Sequence, residues 1–312
     1  MARTYLKTYF KVLCLCLFII GLINFSVDPL WLHGGNRVTG INLPSNERIT
    51  KTNLLLQSTP QDYDCFLFGT SRLTLMNSTA LKGNTCFNYA FSAGKPEEFL
   101  NYARYIKANG FEPDKVYVEI IHTPAAREGY PIEKAGFIET VSEMASEGSV
   151  NAFSSDLKPY FFSLDTLWSS LKSVLLKYPV LGHIVVKNPY PRLYDHDFHA
   201  FVSKTAPVYE PTLVEKREQQ QCDRADPKQL NEFRALFPDA ELVGFVAPLS
   251  AWRIYNRSYA KNIMNCQLEG IHQAAQYFDR AYDFSIPSPM TTRTDNTYDG
   301  NHYYPAVFET VA

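Results

Sequence analysis

The sequence predicts an α/β fold: a doubly wound, mostly parallel sheet that carries a helical insertion and is preceded by one transmembrane helix. Three observations lead there. Short apolar runs alternate with stretches of helical spacing through much of the 312 residues, the pattern of a parallel sheet covered on both faces. One long segment, about 125 to 235, breaks that rhythm, and a connection of that size between two strands cannot be a plain loop. A charge-free run stands near the N-terminus.

That run comes first in the chain. Arg3, Lys7 and Lys11 precede "VLCLCLFIIGLINFSV", Val12 to Val27. Counted from Thr8, with Lys11 reaching toward the headgroups, the stretch is about 20 residues, the length that spans hydrocarbon. No small-residue A-x-A site follows, so the segment reads as an uncleaved signal anchor with its basic end in the cytoplasm. Residues 1–28 are then the tip and anchor, 29–60 a linker, and 61–312 an exported domain on the periplasmic side of an inner membrane.

Within that domain "DCFLFGTSR" (64–72) is a first apolar strand ending in small residues, and "TCFNYAFSAG" (85–94) is a second. The next stretch, "KPEEFLNYARYIKANG", places Phe99, Leu100, Tyr102, Ala103 and Ile106 at helical spacing, and Gly110 stops the helix. "DKVYVEII" (114–121), "AELVGFVAP" (240–248) and "FDRAYDFS" (278–285) supply three more strands, with a helix from Ile263 to Tyr277 between the last two. The segment 125–235 holds "FSLDTLWSSLKSVLLK" and the polar "EKREQQQCDRADPKQ". It reads as a mostly helical insertion capping the sheet. The chain stops at Ala312, in what reads as the start of a final helix.

Composition removes several function classes. With 46% hydrophobic and 14% aromatic residues, the chain can build a real core, which excludes wholesale disorder. Thirty basic against 32 acidic residues leave a net charge of -2, so no whole-chain field points to nucleic acid. The sequence has no P-loop, G-x-G-x-x-G or H-E-x-x-H, so no cofactor is expected. "YDHDFHAF" (194–201) gathers Asp195, His196, Asp197 and His199, a set that could hold a metal but is read as a solvated loop. Cys14 and Cys16 lie in the apolar run. Cys65, Cys86, Cys222 and Cys266 form an even set in an exported domain, open to disulfides or to reduced, buried thiols.

Two short stretches carry chemistry. In an open parallel sheet, ligands bind outside the carboxyl ends of the strands, and Gly69-Thr70-Ser71-Arg72 ends the first strand there. Ser71 is thus delivered to that edge, either as a nucleophile or as a cap of the next helix. "YDGNHYYP" (298–305) follows the fifth strand and brings Asp299 and His302 to the same edge. An Asp beside a His can hold the ring in one tautomer and stabilise the imidazolium formed when it accepts a proton.

In this order the residues resemble the SGNH, or GDSL-type, hydrolase superfamily, and within it the membrane-anchored periplasmic polysaccharide O-acetyltransferase-like group. Ser71 in "FGTSR" is similar to that family's first block, Gly94 in "NYAFSAG" to its second, and "DGNH" to its last, D-x-x-H. The resemblance covers most of residues 60–305. It implies a flavodoxin-like strand order, with Ser71 as nucleophile, His302 as base and Asp299 as its orienting partner. It also implies an oxyanion hole from the amides near Ser71 or Arg72 and of Gly94. The third block, typically G-x-N-D, should fall near "VEIIHTP", where no Asn stands, so His122 or Thr123 substitutes as donor or the hole has fewer groups.

The implied reaction is acyl transfer: an esterase if water accepts, a transferase if a sugar hydroxyl does. The anchor would hold the site near a polytopic membrane acyl-donor protein, with a cell-envelope glycan as substrate. Arg72 is open to two readings, contact with an anionic sugar or a helix-surface role. Cys65 and Cys86 stand near the starts of strands that neighbour each other in the order 2-1-3-4-5, and a disulfide forms there if their Cα atoms come within about 7 Å. The alternative function is a polysaccharide-binding or scaffolding subunit that keeps the fold without efficient chemistry.

Overall fold

A computed structural model describes residues 2–43, 47–121, 158–178, 192–195, 199–202, 209–216 and 227–310. The chain divides into two compact units, one formed by residues 1–58 with 150–205 and the other by 59–149 with 206–312.

In the first unit, helix α1 (Ala2–Val27) is long and apolar enough to cross a membrane. Leu6, Phe10, Leu15, Phe18 and Leu22 are exposed along it, as a lipid-facing helix requires. Its C-terminal end is tied down by polar bonds. The Asn24 amide donates to the Phe161 carbonyl at 2.7 Å, and the Ser170 hydroxyl donates to Asn24 Oδ1 at 2.9 Å. The Asp28 carboxylate then accepts the amides of Leu32, His33 and Gly35 at 2.8, 2.7 and 2.9 Å, which closes the turn after the helix.

Residues 29–60, read from the sequence as a linker, contain more than a linker. They hold helix α2 (Glu47–Leu56), in which seven residues are buried. Polar helix sequence hid this, because its buried face includes Glu47, Lys51 and Asn53 as well as Ile49 and Leu55. The proposed insertion is likewise divided, since 150–205 belong with the N-terminal segment and 206–235 with the sheet. Helix 164–175 (Leu164–Leu175) realises the amphipathic stretch, with Ser163 as its N-cap accepting from the Asp165 and Thr166 amides. Most of the polar stretch 215–229, with Cys222, lies outside the described residues.

The second unit is built on a five-stranded parallel sheet. Its strands are β1 (Cys65–Phe68), β2 (Cys86–Asn88), β3 (Lys115–Glu119), β6 (Glu241–Val246) and β7 (Arg280–Asp283), in the order β2-β1-β3-β6-β7. The intervening β4 (Arg192–Tyr194) and β5 (Ala200–Val202) form a separate antiparallel pair in the first unit. All four side residues of β1 and five of the six in β6 are buried, as expected for strands covered on both faces. The edge strand β7 is exposed and carries Arg280 and Asp283, charges that discourage further strand pairing. Lys115, Glu241 and Arg280 make an ion ladder across β3, β6 and β7 at 3.1 and 2.9 Å.

Cys65 and Cys86 are register partners on β1 and β2 and form a disulfide, with Cα atoms 4.2 Å apart. Cys266 is also disulfide-bonded, while Cys14 and Cys16 are free. Helix α3 (Pro96–Ala108) buries Phe99, Leu100, Tyr102, Ala103 and Ile106, the residues its spacing singled out. Phe66, Phe68, Phe87, Tyr89, Phe91 and Tyr102 interleave their rings between this helix and the strands.

Candidate active site

The strand order reverses direction between β1 and β3, and that switch point is where a parallel sheet opens a crevice at its carboxyl edge. Both flanking strands send a chemically distinctive residue there. After Phe68 the chain turns sharply through Gly69, where a Cβ would lie 2.1 Å from Leu73 Cδ1 and 3.0 Å from Glu119 Oε2. The Thr70 amide donates to Glu119 Oε2 at 2.6 Å, and Arg72 Nη2 sits 2.6 Å from Glu119 Oε1. The final residue of β3 therefore fixes the loop after β1, and Ser71 lies between its two tethers.

The opposite side of the site comes from the C-terminal loop. Thr297 Oγ1 accepts the Gly300 amide at 3.0 Å and donates to the His302 carbonyl at 2.7 Å, folding the loop on itself. Gly300 has φ of +77°, and a Cβ there would meet Tyr209 at 2.5 Å, so the turn needs glycine for both reasons. The Ser250 amide donates to the Gly300 carbonyl at 3.0 Å, which anchors this loop to the end of β6.

These two loops bring the three expected residues together. His302 Nε2 is 2.9 Å from Ser71 Oγ, and His302 Nδ1 is 2.7 Å from Asp299 Oδ2. Asp299 Oδ1 accepts the amides of Asn301 and His302, each at 2.8 Å. The geometry selects one tautomer: Nδ1 donates to the carboxylate, leaving Nε2 to accept from the hydroxyl. Tyr298 stacks on the imidazole with ring centroids 5.6 Å apart and 11° between planes, which fixes its rotation. Burial pushes the Asp299 carboxyl upward, but the bonds from the His302 ring and the two amides outweigh it and hold the group below its ordinary range.

The expected oxyanion donors are less uniform. Among the described residues the Ser71 amide has no acceptor. The Arg72 amide makes a long bond to Thr70 Oγ1 at 3.4 Å. Gly94 differs from the expectation, because its amide donates to the Phe91 carbonyl at 3.2 Å and is occupied by that turn. Ala93 takes the turn's third position with φ of +54°, a left-handed conformation that costs an alanine about 1–2 kcal/mol. Gly94 is still required sterically, since a Cβ would lie 2.6 Å from Phe99 and 3.1 Å from the Gly69 carbonyl. His122 and Thr123 lie outside the described residues.

Arg72 is not a helix-surface residue. It is only 4% exposed and is paired with Glu119. Glu119 escaped sequence reading although a lone acid in "KVYVEII" was the available signal. Arg253 and Arg257 were also missed. Arg253 donates through Nε and Nη2 to the Asp299 carbonyl at 3.0 and 2.8 Å, and Arg257 Nη1 donates to Asn301 Oδ1 at 3.3 Å. Their spacing in "WRIYNRSY", four residues apart after a predicted strand, was the visible clue.

Of the weighed metal set, His199 and Asp195 contact each other, with Nδ1 and Oδ2 3.4 Å apart, while His196 and Asp197 lie outside the described residues. No group of three metal-ligating side chains occurs among the described residues. No protein-family model matches this chain, and no curated protein is similar to it in sequence.

Proposed function

We propose that this protein performs serine-dependent acyl transfer, of acetyl or a similarly small group, on a cell-envelope glycan, in the manner of SGNH-type esterases and O-acyltransferases. The observation that carries the reading is the continuous chain Ser71 Oγ, His302, Asp299, with contacts of 2.9 and 2.7 Å. His302 Nε2 takes the hydroxyl proton as Ser71 Oγ bonds to the ester carbonyl carbon, and the carbonyl electrons move onto oxygen. The Ser71 amide supports that oxyanion. Collapse expels the alcohol, which receives the proton from His302, and leaves an acyl-Ser71. A second alcohol or water, deprotonated by His302, then takes the acyl group and restores the serine. Asp299 stays ionised throughout and stabilises the imidazolium.

The membrane-spanning helix favours an exported domain working beside a polytopic donor, which makes the glycan hydroxyl the acceptor of choice. Purified full-length protein should cleave a small acetyl ester, and Ser71→Ala or His302→Ala should abolish this while circular dichroism stays unchanged. Glycan O-acetylation in cells then gives the direction. Less acetyl with Ser71→Ala supports transfer, more supports hydrolysis, and no change in acetylation or in ester cleavage would leave only a binding or scaffolding subunit.

A further inference from the structure

We propose that Arg257 recognises a carboxylate on the substrate, so that the preferred glycan is one containing an acidic sugar; this rests on the acyl-transfer reading above. An unusual stretch of backbone carries the residue. After β6 the chain makes one helical turn, Ala251–Ile254, and then a π-helical segment, Tyr255–Tyr259, closed by the Ala260 amide donating to the Tyr255 carbonyl at 2.7 Å. Such wide turns are uncommon and often mark functional sites. Here the segment carries Arg257 to the face of the catalytic loop.

Among the described residues three guanidinium groups gather around that loop, and two have close partners, although Arg72 Nη1 is buried without one. Arg72 is paired with Glu119. Arg253 is spent on the Asp299 carbonyl. Arg257 makes one 3.3 Å bond to Asn301 Oδ1, and the same Asn301 places its amide 3.4 Å from His302 Nε2. No carboxylate is paired with Arg257 among the described residues. Its main charged neighbours are Arg253 and Arg72, followed by Asp299, which His302 already holds. Burial, reinforced by the two other arginines, lowers its pKa to about 10.

A part-buried cation among cations is costly unless an anion completes it. Arg257 stands one side chain away from the nitrogen that faces Ser71, where a substrate substituent next to the scissile ester would lie. Arg257 is the most weakly held of the three, with a single 3.3 Å bond, and its fork of donors fits a carboxylate in two parallel bonds. The Ser71 amide remains for the oxyanion, so the two demands do not compete.

Full-length Ser71→Ala protein in detergent can be titrated calorimetrically with glucuronate, glucose and glucose 6-phosphate. Glucuronate should bind at least about 10-fold more tightly than glucose, as a charge-assisted contact implies. Adding Arg257→Gln should erase that advantage, and Arg257→Lys should restore part of it. Equal binding of glucose and glucuronate, an advantage that survives Arg257→Gln, or tighter binding of glucose 6-phosphate would each overturn the assignment. With Ser71 intact, Arg257→Gln should lower the ratio of kcat/KM for an acetylated uronate over a neutral acetyl sugar, through KM. An equal fall in kcat on both esters would instead make Arg257 an oxyanion group and overturn the proposal. Binding needs no acyl chemistry, so glucuronate recognition without ester cleavage would sink the function and spare this assignment, and cleavage without glucuronate preference would do the reverse.

Discussion

Asp299 is the residue on which the geometry of the site converges: its carboxylate takes the His302 ring on one oxygen and two backbone amides on the other. Removing the charge while keeping the shape should therefore be severe. Asp299→Asn is expected to lower turnover about 10⁴-fold, the cost of the corresponding change in a serine protease, because the amide favours the wrong tautomer. Steady-state kinetics on an acetyl ester would measure it, and a loss of less than about 10-fold would mean that His302 does not act as the base. The direction of its pKa adds a check on pH. A depressed carboxyl contributes stability above its unfolded value of about 3.9 and loses it as pH falls through the folded value. Asp299 thus remains charged across the neutral range, and any acid limb of the rate profile in that range belongs to another group.

Individual elements are held by devices that can be tested one at a time. The Cys65–Cys86 disulfide closes a loop with a sequence separation of 21 and joins the first residues of β1 and β2. Chain-entropy reasoning assigns such a crosslink about 3 kcal/mol. Replacing both cysteines by Ala should lower the stability of the protein by roughly that amount in denaturant unfolding, and an unchanged midpoint would contradict it. In helix α2, burial drives the Lys51 ammonium down to about 7, with Glu47 opposing and Arg192 adding to the shift. Its folded pKa lies below the ordinary 10.5, so in that window the unfolded chain binds more protons and stability rises with pH. Lys51→Met should stabilise the protein most near pH 7, and the gap should narrow toward pH 10.5. A gap independent of pH would show that Lys51 keeps its charge in the fold.

At the scale of the whole molecule, α1 has the length and apolarity to cross a bilayer, and Arg3, Lys7 and Lys11 stand at one end of it. Basic residues flanking a span are retained in the cytoplasm, which would place everything after it outside. A reporter active only beyond the cytoplasm, fused after residue 40, should be active. Activity only from a cytoplasm-specific reporter would reverse the orientation and remove the glycan from reach.

What the sequence determined by itself follows from local physics. Strand positions were readable because fully buried parallel strands are short apolar runs, as in "CFLF" and "ELVGFV", and α3 because its apolar residues recur at helical spacing. Ser71 was readable because it lies just after β1, and Asp299 and His302 because they lie in the segment that follows β7, and the carboxyl edge of such a sheet gathers the segments after its strands. The α2 helix was not, since its buried side carries charged and amide groups that in isolation resemble a linker. Only the tertiary structure decided that residues 150–205 belong with the N-terminal segment, a partnership between stretches more than 90 positions apart that no local pattern encodes. It alone decided that the Gly94 amide is consumed by its own turn, that Glu119 clamps the nucleophile loop, and that Arg257 has no paired carboxylate among the described residues. Each of these depends on which groups meet across the fold, and hydrogen bonding and charge compensation are properties of those meetings rather than of any residue alone.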